Sequence, residues 1–155
     1  MSVSRNCLED IVVAAGADTL GLAGALKLGL IAVPFNPSVN MTFEGTDEAT
    51  FAGSAAKVIA AATRTTAEDP STGDLMINIP AATGSNVFES TAAPVPPETI
   101  HGWYLGTDTL GLGEVKKADL FYDESGTPVT YTISLANQQI TVPVINLRLL
   151  SEGVV

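Results

Sequence analysis

His101 is the only histidine in the chain and Cys7 the only cysteine, so few side chains could drive bond chemistry. A histidine base needs a nucleophile and an orienting group beside it. The residues around His101 (Thr-Ile-His-Gly-Trp-Tyr) instead read as a packed strand. Ser54-Ala-Ala-Lys57 matches the S-x-x-K of serine acyl transfer, but the S-D-N and K-T-G elements that complete such a site are absent. A zinc site needs three or four His, Cys or acidic ligands, and the lone His and Cys lie far apart. Two acidic groups, Glu44 with Asp47 and Glu48, and Asp119 with Asp123 and Glu124, could offer oxygens to calcium. Their spacing is not that of an EF-hand loop, and both read as solvated acidic loops. No G-x-S-x-G, phosphate-binding loop or G-x-G-x-x-G occurs. Paired carboxylates for glycoside hydrolysis need only spatial proximity and stay open, although Trp103 alone stocks a sugar-stacking cleft poorly. The expectation is a protein without a catalytic, cofactor or metal site.

Charge narrows the partners. Seventeen acids against seven bases give a net charge of −10. The bases Arg5, Lys27, Lys57, Arg64, Lys116, Lys117 and Arg148 are scattered, with Lys116-Lys117 the only adjacent pair. Phosphate backbones and anionic membranes are held by clustered Lys and Arg, so neither nucleic acid nor membrane is an expected partner. The run at residues 11–33 is long enough to cross a bilayer, but Asp18, Lys27 and four glycines interrupt it. Glu9 and Asp10 stand where a signal peptide carries bases. Neither a span nor a leader is expected.

The elements follow from patterning. Hydrophobic residues make up 46% of 155 and charged residues only 15%, below the roughly 25% of ordinary soluble domains. Such a chain folds, and has apolar surface to spare for other subunits. Near the N-terminus, Asn6 and Glu9 form a capping box and Gly16 suits the C′ position, which predicts a short helix. Leu8, Ile11, Val12 and Ala15 fall on one face of it. So short a helix must dock, which makes these four the candidate protein-interaction residues. Strand patterns follow at 26–33, 74–79, 86–90, 99–107, 114–122, 127–135 and 138–150. Pro143 places the last at an edge or a bulge. Residues 40–50 read as an exposed acidic connection, 67–73 as a turn and 92–97 as a Pro-rich connector. Residues 51–66 are ambiguous: Phe51, Ala55, Ile59 and Ala62 repeat at helical spacing, but Thr-rich sequence closes the run. The fold class is all-β, a β-sandwich, jelly roll or barrel of about eight strands with a short N-terminal helix. Residues 1–25 form an N-terminal arm, 26–151 the β-domain and 152–155 a tail. The pentapeptide DTLGL at 18–22 recurs at 108–112, without further similarity around it.

The order of these segments resembles small virion structural proteins of tailed phages. The resemblance runs through the apolar strand LKLGLIAV, the Pro/Asn-containing acidic loop after it, and Glu-Ala-Thr-Phe-x-Gly at residues 48–53. It continues with Gly102-Trp103-Tyr104, Thr107-Asp108 and a closing strand with Thr141, Val142 and Ile145. It covers about residues 26–151 and implies that 51–66 is strand. It further implies a capsid cement or decoration subunit, often trimeric, seated on the outer capsid surface of the virion with the major capsid protein as partner. A tail or fibre-associated adsorption protein is the alternative, and a carbohydrate-binding or hydrolytic β-domain a further one.

Overall fold

The computed structural model describes residues 26–38, 41–59, 65–68, 75–79, 86–143 and 145–149. Its strands in chain order are β1 (Leu26–Ile31), β2 (Lys57–Ile59), β3 (Thr65–Glu68), β4 (Leu75–Ile79), β5 (Val87–Glu89) and β6 (Glu98–Ile100). Then come β7 (Gly102–Gly106), β8 (Val115–Tyr122), β9 (Pro128–Val129), β10 (Tyr131–Ile133), β11 (Gln139–Thr141) and β12 (Ile145–Leu149). One 3₁₀ turn, Gly45–Asp47, is the only helical element among the described residues. The protein is all-β and sandwich-like.

A five-stranded antiparallel sheet in the order β2-β1-β7-β8-β9 is the backbone of the domain. Alternation in β1 decides its two faces. Leu26, Leu28 and Leu30 point to the main core, while Lys27, Gly29 and Ile31 point the other way. The register carries this across the sheet, setting Leu28 beside Leu105 and Leu30 beside Trp103, which in turn faces Asp119. On the opposite face Tyr104 lies over Gly29, where an added Cβ would meet the ring at 2.3 Å. Glycine there makes room for a fully buried tyrosine.

Three smaller ladders complete the fold: β10-β6, β11-β5 and β12-β4-β3. Phe88, Ile100, Ile133, Ile140, Val142 and Ile145 from these ladders and the segments joining them pack on Trp103, Leu105 and Phe121 to form the main core. Trp103 and Phe88 are among its largest members, and truncating such a side chain to alanine costs about 3–5 kcal/mol. A second cluster, Ile31, Tyr104, Leu110 and Ala118, covers the other face with help from Val33, Phe35, Met41 and Phe43.

Several expectations are corrected. The sheets do not close into a barrel, and the described strands number twelve rather than eight. Residues 99–107 are not one strand: the chain leaves the β6-β10 ladder at His101 and enters the main sheet as β7. Residues 127–135 split in the same way between β9 and β10. Residues 138–150 split around Pro143, whose missing N–H ends one ladder before β12 joins another. In the 51–66 stretch, residues 51–56 are turn and coil, and the described residues after them are strand in β2 and at the start of β3. Residues 67 and 68, read as turn, belong to β3. The N-terminal helix, with Leu8, Ile11, Val12 and Ala15, lies outside the described residues, as do Cys7 and the 152–155 tail. No helix among the described residues is long and apolar enough to cross a membrane.

Candidate functional site

The residues that could do chemistry are dispersed across the described elements. His101 sits at the corner between two ladders, half-buried, with its backbone N–H donated to the Ile31 carbonyl. Ser54 is buried and donates its hydroxyl to the Ala49 carbonyl at 2.8 Å. Lys57 extends over the Phe88 ring, 5.3 Å from its centroid, on the core face. Asp119, expected to be solvated, is 3% exposed and accepts from the Leu120 N–H and the Tyr122 hydroxyl. No group of three or more His, Cys, Asp or Glu side chains that could hold a metal occurs among the described residues.

The acidic connection at 40–50 is more ordered than an exposed loop. Asp47 and Glu44 form a reciprocal cap on the 3₁₀ turn. Glu48 bridges Ile31, so the outer edge of β1 is paired first by β2 and then by this segment. The buried Tyr104 hydroxyl donates to Glu48 Oε1 at 2.6 Å. Burial, then the Glu48 carboxylate, pushes that phenol well above its usual range.

The Glu-Ala-Thr-Phe-x-Gly stretch proves to be a staple. Ala49 is buried and donates its N–H to the Leu30 carbonyl. Thr50 donates its N–H and its hydroxyl to Glu98 Oε1, and Phe51 donates its N–H to Glu98 Oε2 at 2.7 Å. The Phe51 ring enters the main core. Gly53 has φ +105°, and a Cβ there would lie 2.0 Å from the Glu89 carbonyl oxygen, so only glycine fits. The staple seats residues 50–53 against the strand-to-strand loop at 90–97.

Two further links bring a third loop alongside. Thr91 donates its N–H to the Ala52 carbonyl. Ser90, fully buried, exchanges backbone bonds with Asn137 and Gln138 and donates its hydroxyl to the Leu135 carbonyl at 2.6 Å. Residues 49–56, 90–97 and 134–138 thus form one cap on the domain. These three segments contain no Asp, Glu, Lys, Arg or His, in a chain of net charge −10. Their outward side chains are uncharged: Ala52, Ala92, Ala93, Pro96, Val95 at 95% exposure and Leu135 at 63% are small or apolar, beside the polar Thr50, Thr91 and Asn137. A shallow groove of about 380 Å³ runs between Thr50–Ala52 and Pro94–Glu98. Exposed apolar clusters of this kind mark protein contacts.

The rest of the described surface has the opposite character. Lys116 and Lys117, at 1% and 0% exposure, are drawn inside. Lys116 meets Glu114 at 2.6 Å, and Lys117 lies 5.9 Å from the Trp103 ring centroid. Lys27 is paired with Asp108 at 2.6 Å. Glu44, Glu89, Glu114, Asp123 and Glu124 meanwhile face solvent. Beyond the cap, the described surface mixes these carboxylates with polar residues and with scattered apolar side chains, Val58, Leu112, Tyr122 and Tyr131.

The sequence reading singled out 92–97 only as a connector and missed the cap. The signal was the absence of charge in three separated windows, but their convergence depends on links such as Thr50 to Glu98 and Ser90 to Leu135, 48 and 45 residues apart. No family model matches the chain, and no curated protein or solved structure aligns with it significantly.

Proposed function

We propose that this protein is a virion structural subunit of the cement or decoration kind, which binds neighbouring capsid subunits on the outer shell through protein surfaces alone. The observation that carries the reading is the uncharged apolar cap on an otherwise anionic domain. A folded domain that leaves Val95 almost fully exposed, beside prolines and alanines, has surface to lose on contact with protein. Prolines and the Glu98 staple hold the loops in shape before contact, which lowers the ordering cost of binding. Many copies of a modest contact stabilise a shell together. The segment order described above supports a tailed-phage origin, and the staple gives a physical reason for one of its motifs.

The test is a copy count in purified particles. Decoration of the shell predicts a number close to that of the shell protein. A few copies per particle would turn the reading to a tail or adsorption protein, and absence from particles would end it.

A further inference from the structure

We infer that the second face of the five-stranded sheet takes a basic amphipathic helix from another protein. This face is separate from the cap, and the inference does not use the cap reading. Gly29 and Gly102 leave the face hollow: an added Cβ would run into the Tyr104 ring at the first and the Phe35 ring at the second. Tyr104 fills part of the hollow, with its hydroxyl turned to Glu48. Residues 33–43 cross the rest and, among the described residues, join no ladder. Val33, Phe35, Met41 and Phe43 close over Ile31, Tyr104, Leu110 and Ala118 but stay half-buried themselves. Among the described residues, six half-buried apolar side chains pack on this cluster of four, against two on the fifteen of the main core. The second face is therefore the less completely covered one. Gly111, at φ +77°, packs on the Gly45 backbone. Leu112 follows it at 79% exposure, extending the apolar surface beside Phe43–Gly45.

Carboxylates rim this surface. Glu44 and Glu114 are exposed, and Asp47 and Asp108 are half-buried. Lys27 is paired with Asp108, and Lys116 is drawn beneath to Glu114, so both bases here are already engaged. An apolar surface with an acidic rim is complementary to an apolar stripe flanked by Lys or Arg. A strand cannot add at the near edge, because β2 and Glu48 already pair the outer side of β1. The contact is left to side chains, which is how an amphipathic helix lays its stripe on an apolar surface.

Fluorescence anisotropy of labelled peptides against the full chain tests this. The probe is a designed helix of about 18 residues, five turns, with a leucine stripe flanked by lysines. It should bind, and more weakly as salt rises. Two control peptides keep the length: one has serine for leucine, the other glutamate for lysine. Each should bind at least about tenfold more weakly, as should the probe to Leu112→Ser, the loss expected of a central apolar anchor. Glu44→Gln should weaken the probe about twofold to fivefold, as for an exposed charge pair. Val95→Ser, in the cap, should bind it like the parent. Circular dichroism checks that each variant folds. A parent chain that does not bind the probe overturns the inference, whether residues 1–25 or a second copy takes the face instead. Equal binding of either control peptide overturns it too, as does full binding by Leu112→Ser. Copy number in particles is untouched by any of these results, so the two proposals fail separately.

Discussion

The cap and the acidic turns are both loop structure, yet they are held in opposite ways. The turn after β8 organises itself. Asp123 accepts from the N–H groups of Ser125 and Thr127 and from the Ser125 hydroxyl, and Gly126 closes it at φ +79°. The 107–114 turn likewise uses its own Asp108 on Thr109 N–H and its own Thr107 on Glu114 N–H. The cap contributes no such acids. Its loops are held by backbone bonds, by the buried hydroxyls of Ser54 and Ser90, and by Glu98 reaching up from β6. A turn that only has to reverse the chain can wear its carboxylate outside. A loop meant to present apolar surface has to be fastened from beneath, and that is how Glu98 and Ser90 are placed.

The contrast can be broken most severely at Phe51. Phe51→Ala should lower stability by about 3–5 kcal/mol, since it empties a core site while leaving the backbone bond to Glu98 in place. Urea unfolding reads this directly. Glu98→Ala should cost about 1–3 kcal/mol by leaving the Phe51 and Thr50 N–H groups without their acceptor. Amide exchange should then accelerate in residues 50–53 while β7 and β8 keep their protection.

Asp123→Asn should act less than either and only locally. The Ser125 hydroxyl, then the Thr127 N–H, hold the Asp123 carboxyl below the usual carboxylate range. A lowered folded value means the turn is fully stabilised above the unfolded value of about pH 4 and loses that support as pH falls through the folded one. Protection at Ser125 and Thr127, corrected for the intrinsic exchange rate at each pH, should therefore fall in acid in the parent and vary less with pH in the variant. Val95→Asp should leave the unfolding midpoint nearly unchanged, because its side chain touches mainly solvent, while weakening attachment to shells.

Strand patterning made the fold class legible. The strand patterns at 26–33 and 114–122 hold β1 and β8, and the prolines at 94–97 and 143 mark breaks that the chain observes. What patterning cannot carry is a change of ladder within one apolar run. His101 and Thr130 interrupt nothing in hydrophobicity, yet the chain moves to a different ladder at each. Helical spacing from Phe51 to Ala62 was likewise a poor guide to residues 51–56, because Phe51 is buried from a turn that Glu98, forty-seven residues away, holds in place. The burial of Lys116-Lys117 has no sign in the sequence, and the two-sided cover of the sheet explains it. The cap itself needed three windows to meet, and no local rule brings them together.

Amide hydrogen exchange on the chain free and bound to purified shells tests the central claim most directly. The account predicts added protection in residues 50–53, 91–97 and 134–138 on binding, with none in 123–127. Unchanged exchange in the cap, or protection gathered on the acidic turns instead, would contradict it.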